Sequence, residues 1–176
     1  MEAPKRYHPV LVALHWIMAV LIIFLLLVGN FYMVWLPNDA AKLLPLKMHM
    51  LTGITVGVLL IIRFIVRMGT KKPAPATAGH PVLDFIGRLT HWGLYLFSLG
   101  MVISGLGTSS AANLPEIVFQ GKGFPAGFDF YAFPPRIGHE FVSYGLFLLV
   151  ALHIGAALYH QFIRKDNLLS RMWFGK

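Results

Sequence analysis

Four long stretches of this sequence carry almost no charge, and they constrain its fold more than any other feature. They cover residues 10–35, 48–62, 89–108 and 141–163. Each one reaches, alone or with its flanking residues, the length of about 20 residues that an α-helix needs to cross a membrane. Only 12% of the residues are charged, against roughly 25% in an ordinary soluble domain. A water-soluble fold is nearly excluded.

The stretches predict an all-α fold, a four-helix transmembrane bundle that forms one domain over residues 1–176. We expect its helices at about residues 10–35, 47–68, 85–108 and 138–163. The first stretch follows two basic residues, as in a signal peptide, but it is too long for one, so we expect it to be a retained helix. The loop before the fourth helix, about residues 109–136, is rich in Gly, Pro and Phe, which predicts a compact cap over one end of the bundle.

The basic residues are distributed unevenly between the two sides of this bundle. Four spans place both termini on one side, together with eleven of the fifteen Lys and Arg residues, and the other side has Lys42, Lys47, Lys122 and Arg136. Cytoplasmic loops are the ones enriched in Lys and Arg. Both termini are therefore expected in the cytoplasm. In a bacterium the membrane would be the inner one, and the capping loop would lie in the periplasm. Topology accounts for the net charge of +8, and we expect no nucleic-acid partner.

Six of the eight histidines lie in or at the ends of the predicted helices. An ionisable side chain is costly inside a bilayer, and it commonly marks a ligand, a relay or a pathway. His139 and His153 are fourteen positions apart on the fourth helix, close to four turns, so both lie on one face and about 21 Å apart along the axis. This spacing predicts two sites, one near each leaflet.

Depth in the membrane suggests partners for these two histidines. His49 and His139 each start a helix at the outer surface, so they can face one another. His15 and His153 both lie nearer the cytoplasm and form a second candidate pair, with His160 and His91 as alternative members of the inner site.

Two imidazoles that face one another across a bundle suit haem b, whose iron takes one ligand on each side. The chain has no Cys, which excludes thioether-attached haem and iron–sulfur clusters, and zinc commonly needs further ligands nearby. Proton or ion translocation and structural polar packing remain alternatives. Arg63 follows His49 by fourteen residues on the same helix face; it could bind a haem propionate or extend to the membrane interface.

Several motifs carry a family resemblance along nearly the whole chain. They are LHW at residues 14–16, the histidine that opens the second helix, GHEF at 138–141, LHIGAALYH at 152–160 and KDNLLSRM at 165–172. With these motifs the sequence resembles the bacterial cytochrome b561 family. Within that family it resembles the small diheme inner-membrane proteins that act as superoxide:ubiquinone oxidoreductases.

The resemblance implies two haem b groups, a cytoplasmic-side one bound by His15 and His153 and a periplasmic-side one bound by His49 and His139. It also implies that superoxide donates electrons at the outer face and that ubiquinone accepts them.

Other polar residues acquire candidate roles under the same resemblance. Lys47 and Arg136 lie close in sequence to outer ligands and are candidate catalytic residues that steer the superoxide anion. Lys42 and Lys122 could contribute to steering or could be solvated loop lysines. His160 could hydrogen-bond a quinone carbonyl or a propionate, or pass protons to a reduced quinone, and it could equally be an interfacial histidine.

Two other functions stay open from the sequence. One is a membrane haem subunit that relays electrons between a partner dehydrogenase or soluble cytochrome and quinone. The other is a haem-free transporter or proton relay.

Overall fold

The computed structural model describes residues 4–174. This part of the chain forms five α-helices, which are α1 (Pro9–Leu27), α2 (Ala40–Gly69), α3 (Pro81–Ala111), α4 (Leu114–Val118) and α5 (Pro134–Leu158). α1 continues through wider and then tighter helical turns to Trp35, and α5 continues through a wider turn to Arg164. Residues 4–174 contain no strand, so the predicted all-α fold is confirmed.

Four helical segments within residues 4–174 are long and apolar enough to cross a membrane. They are Pro9–Trp35, Ala40–Gly69, Pro81–Ala111 and Pro134–Arg164, which confirms the predicted four-helix transmembrane bundle. Their outward faces are apolar: Ile65 is 63% exposed, Leu96 66% and Phe141 75%. A soluble protein rarely exposes apolar surface on this scale, whereas lipid tails solvate it well.

The second, third and fourth spans begin earlier than the apolar stretches of the sequence indicate, and the third begins at Pro81 rather than at residue 85. α2 begins at Ala40 rather than at residue 47, because the Asp39 carboxylate accepts a hydrogen bond from Ala41 N at 2.9 Å and caps the helix. The fourth span begins at Pro134 rather than at residue 138, and proline suits the first turn of a helix. Lys42 and Lys47 therefore lie in α2 and not in a loop.

Small residues allow the closest helix packing, which is that of α3 along α5. A Cβ added at Gly93 would lie 3.1 Å from Leu149, and one added at Gly100 would lie 3.3 Å from Val142. Close backbone approach of this kind favours helix association in lipid, where apolar burial contributes little. α1 packs on α2, and α2 packs on α3, so α5 faces α1 and α2 across the interior of the bundle.

The segment between α3 and α5 forms an aromatic cluster at one end of the bundle, which is the end predicted above to be the outer one. Its buried members are Leu46, Ala112, Leu114 and Ile117, and Phe124, Phe128, Phe130 and Phe133 pack against them. Because Leu46 belongs to α2, this segment is held over the first turns of α2.

Hydrogen bonds join the chain ends to the loop between α2 and α3 at the opposite end. Trp16 Nε1 donates to Met172 O at 2.7 Å, and Tyr7 N donates to Arg171 O at 3.1 Å. Arg171 and Arg164 donate to Ala74 O and Ala78 O, each at 2.7 Å. The residues after α5 therefore lie across this end of the bundle.

Candidate functional site

His49 on α2 and His139 on α5 face one another at the outer end of the interior. Their ring centres are 6.2 Å apart. Glycine lies beside each ring: a Cβ added at Gly29 would be 3.4 Å from His49 Cε1, and one added at Gly105 would be 3.3 Å from His139 Cε1. Both imidazoles thus occupy space that a larger residue on the neighbouring helix would restrict.

The hydroxyl of Ser104 sets the tautomer of His139. Ser104 Oγ donates to Gly100 O at 2.6 Å and lies 3.0 Å from His139 Nδ1. Since the single hydroxyl proton is used on the carbonyl, Nδ1 of His139 must donate to the hydroxyl oxygen. Nε2 of His139 is then the free acceptor, as in metal-bound histidines whose other nitrogen donates to a fixed partner.

His49 presents an unsatisfied nitrogen to the same region. Its Nδ1 is buried and has no hydrogen-bond partner among the described residues, although buried polar atoms in native proteins nearly always have one. A cavity of about 410 Å³ is lined by both histidines, by Gly29, Gly53 and Gly105 and by residues of the outer cluster. This cavity and the unsatisfied nitrogen fit a bound group that the chain itself does not supply.

A second group of imidazoles lies deeper, towards the cytoplasmic end predicted above. The ring centres of His15 and His153 are 6.0 Å apart, and those of His91 and His153 are 5.2 Å apart. His91 Nδ1 donates to Gly87 O at 2.7 Å, which fixes its ring on α3. The structure therefore brings three of the sequence-predicted histidines together here, two of them on α3 and α5 and one on α1.

Arg63 lies beside this inner group without an acidic partner. Its guanidinium donates to the Tyr95 hydroxyl, and Nη2 lies 3.4 Å from His15 Nδ1. No carboxylate is within ion-pair distance of it in the part of the chain that the structure describes. A half-buried guanidinium is costly without an anion, so this position suits an anionic group of a ligand.

The geometry of both histidine pairs fits a haem iron. Two imidazoles that coordinate one metal ion from opposite sides, through bonds of about 2 Å each, have ring centres roughly 6 Å apart, and the observed distances are 6.0 and 6.2 Å. No cluster of three or more His, Asp or Glu side chains suited to a metal ion occurs within residues 4–174. Each pair supplies only two imidazole ligands. It therefore suits a metal whose other ligands come from a cofactor, as the porphyrin supplies them in haem.

A family model described as prokaryotic cytochrome b561 matches residues 6–175. The chain belongs to this family. Cytochrome b561 proteins are membrane electron-transfer proteins that bind haem b, and the four spans and the histidine pairs are consistent with that.

Curated relatives match the chain over almost its whole length. It is 29% identical to "Cytochrome b561 homolog 2" of Escherichia coli strain K12, over 97% of this chain and 93% of the relative. It is 25% identical to "Probable superoxide oxidase CybB" of Yersinia pestis, over 96% of each chain. It is 27% identical to "Cytochrome b561 homolog 1" of E. coli, over 96% of this chain and 97% of the relative.

The outer cations of this cytochrome b561 protein occupy different environments. Arg136 lines the outer cavity and forms an ion pair with Glu140 at 3.1 Å. Glu140 also accepts a hydrogen bond from Tyr131 at 2.8 Å, which raises the pKa of that phenol. Lys47 is exposed and lies outside the cavity lining, with its ammonium 5.6 Å from the centre of the Phe119 ring.

Lys42 is the cation whose position the sequence did not indicate. It is buried and lines the outer cavity, whereas a lysine ahead of an apolar stretch looks like a loop residue. The spacing of Lys42 from His49 could have indicated this position. The two residues are two helical turns apart and lie on the same face of α2, once the helix is known to begin at Ala40.

His160 lies in the wider turn after α5 and is buried. Its Nδ1 donates to Asp166 Oδ2 at 2.6 Å. Burial raises the pKa of Asp166, but the hydrogen bond and charge of His160, the backbone N–H of Leu168 and the charge of Arg164 together outweigh it. The pKa of this carboxyl therefore lies below its ordinary value. Asp166 belongs to the KDNLLSRM motif at residues 165–172. One role of this motif is therefore to supply the hydrogen-bond acceptor for His160.

Proposed function

We propose that this protein is a diheme b-type oxidoreductase that takes electrons from superoxide at the periplasmic face and delivers them to ubiquinone. The observation that carries the proposal is the presence of two imidazole pairs at different depths, the outer one in a cavity lined by cations. The relative named probable superoxide oxidase, aligned over nearly the full chain, supports the choice of substrate.

His49 and His139 would bind one haem b, and His15 and His153 would bind the other. When bound, each haem supplies a centre that exchanges one electron. Ser104 orients His139 for this role by accepting a hydrogen bond from its Nδ1–H. His91, fixed on Gly87 O and packed edge-on against His153, holds the orientation of His153.

Arg63 would bind a propionate of the inner haem. A guanidinium only donates, so His15 Nδ1 accepts at the contact with Arg63 and the proton of His15 lies on Nε2. To bind a metal through Nε2, His15 would carry this proton on Nδ1 instead, and Nδ1 would no longer accept from Arg63. A propionate would then offer Arg63 the carboxylate that it lacks among the described residues.

The overall reaction conserves charge and atoms. Two superoxide anions each lose one electron and become two O₂ molecules. One ubiquinone gains these two electrons and two protons and becomes ubiquinol.

Arg136 and Lys47 would attract superoxide to the outer cavity, since the field of fixed cations raises the local concentration of an anion. At the other end, His160 would hydrogen-bond the quinone and supply a proton through Nε2, while the Asp166 carboxylate stabilises the charged imidazolium.

The orientation follows from the basic residues. Eleven of the fifteen Lys and Arg residues lie at the end that carries both termini, so we place that end in the cytoplasm and the bundle in a bacterial inner membrane. The lipid bilayer is then the solvent of the exposed apolar faces.

Haem content is the first test. The pyridine haemochrome of the purified chain should show two haem b per polypeptide. One haem per chain contradicts the diheme arrangement, and none removes every redox function.

Superoxide-driven reduction is the second test. Superoxide added with ubiquinone to the purified holoprotein should reduce the haem and yield ubiquinol faster than superoxide dismutates spontaneously. A fully loaded protein that is not reduced in this way would instead fit a relay subunit served by a partner redox protein.

A further inference from the structure

Lys42 is a buried cation in the wall of the outer cavity. Its side chain lies on the first turn of α2, two turns before His49, and the residue is only 8% exposed. The same cavity is lined by His49, His139 and Arg136. A lysine is almost never buried to this extent unless a partner compensates its charge.

The partner of Lys42 is neutral. Its ammonium donates to Asn38 Oδ1 at 2.7 Å and lies 5.6 Å from the centre of the Phe130 ring. Within residues 4–174, no carboxylate lies within 4.0 Å of this ammonium. An amide oxygen and an aromatic face satisfy its geometry, and the carboxylate of Asp39 attracts it only from beyond 4.0 Å.

The acidic groups around the cavity are already engaged. Glu140 binds Arg136 at 3.1 Å and accepts hydrogen bonds from Tyr131 and Tyr144. Asp129 accepts a hydrogen bond from Tyr131 N at 2.9 Å. Asp39 likewise accepts a hydrogen bond, from Ala41 N at 2.9 Å. Lys42 therefore contributes a positive charge to the cavity wall without an ion-pair partner among the described residues.

Asn38 holds the ammonium in place. Asn38 Nδ2 donates to Phe128 O at 2.9 Å, which turns its Oδ1 towards Lys42. The lysine is thus anchored to both outer segments, since Asn38 precedes α2 and Phe128 belongs to the loop before α5. A positioned ammonium loses less freedom when it binds a ligand than a solvated one does.

We propose that Lys42, positioned by Asn38, forms together with Arg136 a binding site for a small monovalent anion inside the outer cavity. In the oxidoreductase proposed above, on which this assignment rests, the anion is superoxide, and Lys42 holds it near the His49–His139 pair. Lys47, which is exposed on the same helix, contributes only to the long-range attraction of the anion. Lys122 is also exposed, but it is paired with Glu116 at 2.7 Å and lies outside the cavity lining, so it provides the control.

Chloride is a suitable probe because it is monovalent and unreactive. Chloride NMR line broadening is measured on the haem-loaded protein in a neutral maltoside detergent, for wild type, Lys42→Gln, Lys42→Arg and Lys122→Gln. We expect Lys42→Gln to lower the chloride affinity about tenfold, as loss of a charge-assisted hydrogen bond does. Lys42→Arg and Lys122→Gln should retain binding close to wild type.

Kinetics give an independent measurement on the same proteins. Reduction by superoxide should slow about tenfold in Lys42→Gln, and added chloride should inhibit wild type but not this variant. Reduction by ubiquinol, which is neutral and uses the other end, should not change. Equal superoxide rates in Lys42→Gln and Lys122→Gln overturn the assignment.

The two proposals fail in different ways. If wild type accepts no electrons from superoxide but binds chloride through Lys42, the substrate is wrong and the anion site stands. If wild type is reduced by superoxide but chloride broadening is the same in Lys42→Gln, the anion site is wrong and the enzyme stands. Should Lys42→Gln not load haem, Asn38→Ala keeps the charge and removes its anchor, and unchanged chloride affinity in that variant overturns the site.

Discussion

Replacement of Ser104 by alanine isolates one contact of the proposed outer haem. Ser104 Oγ lies 3.0 Å from His139 Nδ1 and accepts a hydrogen bond from it. Alanine keeps the helix and removes the hydroxyl acceptor, which leaves the Met101 carbonyl as the remaining hydrogen-bond partner of the buried N–H. The variant therefore perturbs the ligand without removing it.

The size of the effect follows from the cost of an unsatisfied donor. A buried donor that loses its acceptor costs about 1–3 kcal/mol, and about 1.4 kcal/mol corresponds to a tenfold change in affinity. We expect outer-haem affinity to fall roughly tenfold in Ser104→Ala, in line with the roughly 10- to 100-fold losses seen when partners of metal ligands are removed.

The reduction potential should also change, with a definite sign. A donated Nδ1 proton makes the imidazole a stronger ligand, which favours oxidised iron. Its loss should raise the potential of the outer haem, by up to roughly 60 mV if the whole tenfold effect falls on the oxidised state.

Thr108→Ala is the matched control. Thr108 lies one turn further along α3 and donates to Ser104 O at 2.8 Å, as Ser104 donates to Gly100 O. Both variants lose one hydrogen bond to a backbone carbonyl, but the hydroxyl that is hydrogen-bonded to His139 belongs to Ser104 and not to Thr108. Haem transfer to apomyoglobin and a spectroscopic redox titration measure the two effects. Equal haem loss and equal potentials in the two variants would refute the proposed role of Ser104.

Three further predictions test the other parts of the proposal. His139→Ala should lose the outer haem and keep the inner one, measured as one haem b per chain, and retention of two haems refutes the pairing. Glu substitutions at Arg136 and Lys47 should reduce the superoxide rate about tenfold at low salt and weaken its dependence on ionic strength. The reason is that these substitutions reverse the local field that attracts the anion. An unchanged rate would contradict electrostatic attraction of superoxide by these two residues. Asp166→Asn should slow ubiquinol formation several-fold but leave superoxide-driven haem reduction intact, because His160 loses the carboxylate that stabilises its charge. Since the pKa of Asp166 is lowered, its contribution to stability is present at neutral pH and is lost only as the pH falls through that lowered value. A denaturation series in acid should therefore separate wild type from Asp166→Asn above this pH and merge them below it.

Much of the fold was predictable because the bilayer imposes simple rules. Apolar length gave the four spans, and fourteen-residue spacing on one helix placed His139 and His153 at two depths. The starts of α2 and of the fourth span were missed, because Asp39 and Pro134 begin helices whose first turns are too polar for a hydropathy pattern to show.

The neighbours of the candidate ligands were less predictable. His15 had three candidate partners by depth, and the structure places it 6.0 Å from His153 while also bringing His91 to 5.2 Å from the same ring. Depth restricts position along the membrane normal only. Which helices face one another depends on the packing of α3 against α5, and that packing is set by small residues in contact with side chains far away in sequence.

The sequence by itself determined that this chain crosses the membrane four times, carries histidines at two levels and has its positive charge at one end. These properties depend on hydrophobic length and helical periodicity, which are local. The tertiary structure alone decided that Lys42 is buried in the outer cavity while Lys47 is exposed. It also decided that Ser104 accepts a hydrogen bond from His139 and that Asp166 accepts one from His160. Those properties depend on the rotation of each helix about its axis and on the course of two loops, which only contacts between distant segments determine.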